Sequence, residues 1–151
     1  MKIFIDADGC PVVEQAVAAA KRRSIGCTIV CDTAHVFSFD CAETVTVDRG
    51  ADAADFKLVS LISRGDIAVT QDYGLAAMCL AKSAACIDQN GRRYTDANID
   101  SLLDMRFVSK KARACGKHLK GPKKRTASAD AAFESELEKL IDEQLAKEGK
   151  P

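Results

Sequence analysis

Short apolar runs alternate with longer helix-like stretches along this chain. The runs predict strands over residues 2–7, 27–31, 44–48, 67–70 and 84–87. The other patterned stretches predict helices over residues 11–24, 53–63, 72–82, 95–103, 107–114 and about 130–148. Because strands and helices alternate, we expect a mainly parallel sheet with helices on both faces, which is typical of an α/β fold.

Two of the predicted helices carry a recognisable apolar face. In the helix over 53–63, Phe56, Val59 and Ile62 recur at spacings of three. The stripe of the last helix contains Phe133, Leu137, Leu140, Ile141 and Leu145. With 151 residues the chain is long enough for one domain with a buried core, which we place at residues 1–148, followed by a frayed tail at 149–151.

The cysteines, the histidines and the length of the apolar stretches indicate the compartment in which the protein is found. Seven cysteines occur, none of them in a C-x-x-C pair, and the only histidines are His35 and His118. This pattern favours reduced, mostly buried thiols and gives no support to a zinc site. No apolar stretch approaches the length of a membrane span, and Asp6 and Asp8 interrupt the only N-terminal apolar run. We therefore expect a cytoplasmic protein that does not contact a membrane.

The net charge of zero conceals a segregation of charge. Residues 1–104 carry 10 Lys and Arg against 15 Asp and Glu, and residues 130–151 carry 3 against 7. Residues 105–129 carry 9 Lys and Arg and no acid, and we call this segment the basic band. A band of one sign on an acidic protein indicates a polyanionic partner.

An aspartate ends or follows several of the predicted strands. Asp6 and Asp8 close the first strand and, being two residues apart, point to the same face. Asp72 follows the fourth strand and is also placed to cap the next helix. In a parallel sheet such strand ends share one edge, where ligands bind. Capping does not explain Asp6 inside an apolar strand, so we interpret Asp6, Asp8 and Asp72 as catalytic and metal-binding candidates.

A second pair of acids lies near the start of the helix over 53–63. Asp52 and Asp55 are three residues apart and share a helix face, so they either complement the helix dipole or join the acidic site. Carboxylates gathered at one edge repel one another unless a divalent cation neutralises them, and Mg2+ suits a site of few carboxylates and several waters. Thr70 is placed to offer its hydroxyl to a phosphate or to a metal-bound water.

The centre of the basic band reads KHLKGPKKR over residues 117–125. Its candidate nucleic-acid contacts are Lys117, Lys120, Lys123, Lys124 and Arg125. Aromatic residues are not interleaved with them, which favours phosphate contact over base readout. Thr126 is placed to cap the last helix, and Asp130 in its first turn has either a capping or a metal-binding role. Thr126 and Asp130 are also candidate contacts for a phosphate or a water.

Four blocks of the sequence, in order along most of the chain, resemble the signature blocks of the bacterial YaiI/YqxD family. They are IDADGCPV (5–12), DRGADAADFKLV (48–59), VTQDYGLA (69–76) and KGPKKRTASAD (120–130). That family is uncharacterised and is grouped by its fold with PIN-like nucleases. The resemblance implies a three-layer α/β/α sandwich with a mainly parallel central sheet, and an acidic cluster for Mg2+ or Mn2+.

The resemblance also implies roles for individual acids. Asp6 or Asp8 would be the acid of the first strand, and Asp72 the acid after the fourth strand, in a motif like T-N-D. Asp52 or Asp55 would stand for the mid-chain acid, which is usually Glu in PIN domains. The fourth PIN acid has no clean match here, and Asp88 is a candidate by position only.

Together these features predict a metal-dependent nuclease, with RNA as the favoured substrate and Asp6, Asp8, Asp55 and Asp72 as catalytic residues. One alternative is a nucleic-acid-binding protein with a degenerate PIN-like site, which the missing fourth acid favours. Another is a phosphatase of the haloacid dehalogenase kind, because residues 5–9 resemble its D-x-D-G motif. That class also needs a later acid pair, and Asp66 precedes its strand, so it should lie at the opposite edge of the sheet.

Overall fold

The computed structural model describes residues 1–33, 37–50, 52–116 and 124–149, without the side chains of residues 106–109 and 113. The strands are β1 (Lys2–Asp6), β2 (Gly26–Asp32), β3 (Glu43–Val47), β4 (Ile67–Val69), β5 (Ala85–Ile87) and β6 (Arg93–Tyr94). The helices are α1 (Val13–Arg22), α2 (Ala53–Leu61), α3 (Tyr73–Ala81), α4 (Ile99–Ala114) and α5 (Ala127–Glu148). The five predicted strands are confirmed. The sequence did not predict β6, because a strand of two residues is too short to show an alternation of apolar and polar positions.

The six strands form one sheet in the order β3-β2-β1-β4-β5-β6. Strands β1 to β5 are parallel, and β6 pairs antiparallel with β5. In this order β1 is central: β2 and β3 lie on one side of it, and β4 and β5 lie on the other. The connections that follow β1 and β4 therefore lead to opposite faces of the sheet, and the carboxyl ends of these two strands form a topological switch point, where open α/β sheets bind ligands.

Helices cover both faces of the sheet. Ile3 and Ile5 of β1 face one side, where α1 and α5 supply the packing partners. Phe4 points to the other side, where it packs in a core formed by α2, α3 and α4. This alternation follows from the period of two along a strand that is buried on both faces. The predicted three-layer α/β/α sandwich is confirmed.

Two details of the predicted helices are wrong. The segments over 95–103 and 107–114 belong largely to a single helix, α4, which contains no Gly or Pro to interrupt it between residues 99 and 114. In α2, Phe56 is exposed, and Ile62 lies just past the helix end, where it is buried. Val59 and Ile62 do pack into the core together with Leu58, so the predicted face is wrong only at Phe56.

The last helix follows its predicted pattern. Thr126 is the N-cap of α5, and its Oγ1 accepts a hydrogen bond from the amide of Ala129 at 3.3 Å. The apolar stripe is buried as far as Ile141, whereas Leu145 is partly exposed. Of the predicted frayed tail, Gly149 ends the helix, and residues 150–151 lie outside the described part of the chain.

The seven cysteines are reduced, and Cys27, Cys31, Cys79 and Cys86 are buried, in line with the expectation for thiols in apolar surroundings. In the described ranges we find no helix with the length and apolar character that crossing a membrane requires.

Candidate functional site

A cavity of about 590 Å3 opens at the carboxyl edge of the sheet, beside the switch point. We call it the acidic pocket, because seven of its twelve lining residues are aspartates and none of the twelve is Lys, Arg or His. The lining residues are Asp6, Asp8, Asp32, Asp48, Gly50, Asp52, Ala53, Ala54, Asp55, Gln71, Asp72 and Tyr73.

The topology explains why residues far apart in the sequence meet here. Parallel strands end at the same edge, so the acids that end or follow β1, β2, β3 and β4 converge, and α2 begins at that edge as well. The structure thus brings together all five acids proposed for the metal site, which are Asp6, Asp8, Asp52, Asp55 and Asp72. Their chemical roles stay predictions.

Hydrogen bonds across the switch point orient Asp6. The hydroxyl of Thr70 donates to Oδ2 of Asp6 at 2.8 Å and accepts from the amide of Asp72 at 3.0 Å. Thr70 is only 1% exposed and does not line the acidic pocket. Its position therefore does not support the predicted phosphate contact, and Thr70 acts on the pocket by holding Asp6.

Backbone amides hold two further carboxylates. Oδ1 of Asp72 accepts from the amides of Gly74 at 2.8 Å and Leu75 at 3.2 Å, so Asp72 caps α3 as predicted. Oδ1 of Asp8 accepts from the amide of Asp32 at 3.2 Å, which links the end of β1 to the end of β2. Capping and membership of the pocket are thus compatible, and these bonds restrict the positions that both carboxylates can take.

Burial and the neighbouring carboxylates raise the pKa of Asp6 and of Asp55. Burial raises the pKa of Asp6 to about 6, and the negative charges of Asp8 and Asp72 add to this effect against the hydrogen bond from Thr70. Burial also raises the pKa of Asp55 to about 7, followed by the charges of Asp72, Asp6 and Asp52 and by a hydrogen bond that pairs the Asp55 carboxyl with Asp72. Such mutual repulsion is what a bound cation would relieve.

Asp52 adopts an unusual backbone conformation for its position. Its φ of 63° and ψ of 11° are left-handed, which costs of order 1–3 kcal/mol for a residue other than glycine. It is the N-cap residue of α2, but its side chain makes no capping hydrogen bond. Stabilisation of the helix dipole therefore does not by itself explain why an aspartate stands at this position. The left-handed residue forms part of the wall of the acidic pocket.

The donor set fits a hard divalent cation that keeps part of its water shell. In the ranges that the structure describes, no group of three or more His, Cys, Asp or Glu side chains could hold a metal ion, so an ion bound here would have fewer than three direct protein ligands. Mg2+ usually binds through one or two carboxylates and several waters, and Mn2+ accepts the same oxygen ligands. An open pocket with several carboxylates suits such a hydrated ion better than it suits a tightly caged one.

Arg125 has structural contacts that the sequence did not reveal. Its Nε donates to Oδ1 of Asp130 at 2.6 Å, its Nη1 to Oδ1 of Asn90 at 3.0 Å, and its Nη2 to the carbonyl of Gln89 at 2.5 Å. These bonds fasten the start of α5 to the turn after β5. Asp130 pairs with Arg125 and does not line the acidic pocket, so its candidate metal role is not supported.

A second cavity, of about 460 Å3, lies beside the acidic pocket on the α5 side. Lys124, Arg125 and Thr126 line it, and it shares Gln71 with the acidic pocket. Two basic side chains of the band, those of Lys124 and Arg125, thus line a cavity that borders the acidic pocket at Gln71. The other predicted contacts, Lys117, Lys120 and Lys123, lie outside the described residues.

Sequence reasoning missed three polar residues of the pocket, Asp32, Asp48 and Gln71. Asp32 directly follows an apolar strand, the same signal that identified Asp6, so consistent use of that rule would have found it. Gln71 had no such signal. Its Nε2 donates to the carbonyl of Gly9 at 2.7 Å, which ties together the loops on either side of the switch point.

Two other acids lie away from the pocket. The carboxylate of Asp66 accepts from the amides of Lys2 at 2.8 Å and Ser63 at 2.9 Å, at the edge where β1 and β4 begin. It therefore lies opposite the pocket, as expected, and cannot serve a phosphatase of the haloacid dehalogenase kind there. Asp88 accepts from the amides of Asn90 and Arg92, both at 2.8 Å, and is a turn residue.

Fold and site together define the class, an α/β/α sandwich protein with a cluster of carboxylates at the switch point of its sheet. The chain belongs to the YaiI/YqxD family, whose model, described as "Uncharacterized BCR, YaiI/YqxD family", matches residues 4–143.

Similar proteins span nearly the whole chain. A UPF0178 protein of Exiguobacterium sibiricum is 50% identical over 143 residues, which cover 95% of this chain and 98% of that protein. A UPF0178 protein of Clostridium acetobutylicum is 46% identical, covering 93% and 97%, and one of Bacillus cereus is 40% identical, covering 93% and 99%. No solved structure matched the chain.

Proposed function

We propose that this protein is a metal-dependent nuclease that hydrolyses phosphodiester bonds, with RNA as the favoured substrate and Mg2+ or Mn2+ as the cofactor. The observation that carries the proposal is the acidic pocket, where seven aspartates meet at the switch point without a basic lining residue. The relation to PIN-like nucleases rests on the sequence blocks. The pocket supports it because phosphoryl transfer depends mainly on positioning and charge neutralisation.

The aspartates of the pocket have separate tasks in this mechanism. Asp6, Asp8 and Asp72 would hold the ion, directly or through the waters that it keeps, and Asp52 is a further candidate ligand. A bound Mg2+ or Mn2+ supplies charge neutralisation at the phosphate and lowers the pKa of the attacking water. Asp55 lies at the start of α2 and would accept a proton from that water.

The basic band supplies the attraction that an acidic pocket lacks. Phosphates are repelled by the carboxylates unless a cation is bound, so strand binding needs positive charge nearby. Lys124 is exposed beside the neighbouring cavity and is placed to contact a backbone phosphate. Arg125 contributes by fastening this segment to the protein through its bonds to Asn90 and Asp130.

The experiment is cleavage of single-stranded RNA by the purified protein with Mn2+, with Mg2+ and with EDTA. Asparagine is a good N-cap, so Asp72→Asn should keep α3 intact while it removes one charge from the pocket. We expect cleavage only with a divalent cation and a loss of about 100-fold or more in Asp72→Asn, the scale of losing one charge-stabilising group.

The matched control is Asp104→Asn, because Asp104 is an exposed aspartate of α4 that does not line the pocket. It should cleave at the wild-type rate. Cleavage that persists in EDTA, or a wild-type rate in folded Asp72→Asn, would show that the pocket is not the active site.

A non-catalytic nucleic-acid-binding protein is the second candidate. This candidate is favoured because, among the described residues, no group of three or more His, Cys, Asp or Glu side chains could hold a metal ion. Such a protein would bind single-stranded RNA with an affinity that falls with salt concentration, and would leave the RNA intact under all three conditions.

A further inference from the structure

Phe56 is an exposed aromatic residue next to the acidic pocket. It is 63% exposed on the first turn of α2 and directly follows Asp55. The other large hydrophobic side chains exposed in the described ranges are Leu61, Met105 and Leu145, none of them aromatic. Since Leu58 already supplies the buried contact of α2, packing within the domain does not account for the aromatic ring of Phe56.

A separate cavity of about 340 Å3 lies along this ring. Its apolar wall consists of Phe56, Leu75 and Met78, which we call the apolar ledge, and Gly74 adds no side chain to block it. The remaining lining residues are Asp52, Asp55 and Asp72, all of which also line the acidic pocket. The cavity of the ledge and the acidic pocket therefore lie side by side, and these carboxylates line both of them.

This arrangement matches the two halves of a nucleotide. A phosphate needs a cation to approach the carboxylates, whereas an uncharged base is not repelled by them and has a π-face that stacks on an aromatic ring. A second phosphate would be disfavoured at the ledge, because the three aspartates on its border are negative and it has no basic lining residue.

From this division, and resting on the proposed function, we infer that Phe56 stacks on the nucleobase next to the scissile phosphate of a single-stranded nucleic acid. The base lies against the apolar ledge while the phosphate occupies the acidic pocket. Stacking of this kind tolerates every base, so it selects single strands over duplexes, whose bases are already stacked, and selects little for sequence.

The test is a binding measurement on the Asp72→Asn protein, which should hold the strand without cleaving it. We expect Phe56→Ala to weaken the binding of a short single-stranded RNA by roughly 5- to 150-fold, the range for one lost stack. Leu61→Ala is the matched control. Leu61 is a 37% exposed apolar residue of the same helix, but it lines a different cavity, at the edge where β1 begins, and its loss should leave affinity unchanged.

An RNA series with one abasic nucleotide at each position then tests the contact itself. One abasic position should weaken binding to the protein with Phe56 and have little further effect in Phe56→Ala, because both changes remove the same stack. The chain contains no tryptophan, so Phe56→Trp introduces a single fluorophore, whose emission should be quenched when RNA binds with retained affinity.

The outcomes separate this inference from the proposed function. If the wild type cleaves RNA while Phe56→Ala binds and cleaves equally well, the stacking inference fails and the nuclease stands. If Phe56→Ala instead converts a dimer to a monomer without changing RNA affinity, the ledge is a protein interface and the inference is overturned. If the wild type binds no nucleic acid, the proposed function fails, and the stacking inference fails with it.

Discussion

Replacing Asp55 with asparagine should stabilise the metal-free protein, although it removes a proposed catalytic group. At pH 8 the Asp55 carboxylate is charged, since its pKa is about 7, and the charges of Asp72, Asp6 and Asp52 act on it. Asparagine has nearly the same size, carries no charge and can still donate a hydrogen bond to Asp72. Functional sites often contain unfavourable interactions such as this charge repulsion, and removing them commonly stabilises a protein at the expense of activity.

The magnitude follows from the pKa. The Asp55 pKa rises from an ordinary 3.8 to about 7 in the folded state. Its contribution to the free energy of unfolding is therefore fully present below pH 3.8 and is lost as the pH rises through 7. The full difference corresponds to about 4 kcal/mol. Because Asp55 is only half-buried, solvent screening reduces the gain we expect from Asp55→Asn to about 1–2 kcal/mol, or roughly 2–8 °C in Tm.

The assay is thermal unfolding followed by circular dichroism, in EDTA, at pH 8 and pH 5. The gain should be largest at pH 8 and fall to about a third of that value at pH 5, because the penalty on the wild type builds up as the pH rises from 3.8 to about 7. Mn2+ should raise the Tm of the wild type at pH 8 and raise that of Asp55→Asn less, because the variant has lost a candidate ligand.

The control is Asp100→Asn, since Asp100 occupies the first turn of α4 as Asp55 occupies that of α2, but outside the acidic pocket. It should lose about 0.3–1 kcal/mol of helix-dipole stabilisation, an effect of the opposite sign. The reasoning is refuted if Asp55→Asn is less stable than the wild type at pH 8, or if its gain is equal at both pH values.

Further substitutions test the surroundings of the pocket. Arg125→Ala should lower the free energy of unfolding by about 1.5–3 kcal/mol in urea denaturation, because it leaves Asp130 without its ion pair. An unchanged free energy of unfolding would mean that this ion pair does not stabilise the fold. Lys124→Ala should leave stability unchanged and lower the salt dependence of RNA binding by about one phosphate contact, and an unaltered slope would exclude Lys124 from the interface. Gly91→Ala should cost about 2 kcal/mol or more, since Gly91 has a φ of +85° and a Cβ there would lie 2.8 Å from the carbonyl oxygen of Ala132; a stable variant would show that this turn yields easily.

Local pattern accounts for much of the agreement between prediction and structure. Apolar runs marked the strands, and an aspartate at a strand end marked Asp6 and Asp72, because strand length and helix capping depend on a few neighbouring residues. The alternation of strands and helices then implied a parallel sheet, and a parallel sheet places its strand ends at one edge. The convergence of the acids could thus be anticipated without knowledge of the strand order.

What the sequence by itself determined is therefore the fold class, the family and the edge of the sheet that carries the acids. Only the tertiary structure decided that Gln71 lines the same pocket, that Thr70 turns its hydroxyl to Asp6, that Arg125 is bound by Asn90 and Asp130, and that Phe56 is exposed. The physical reason is that these outcomes depend on contacts between residues distant along the chain. Strand pairing and helix packing set those contacts, and a local pattern of apolar and polar positions does not encode them.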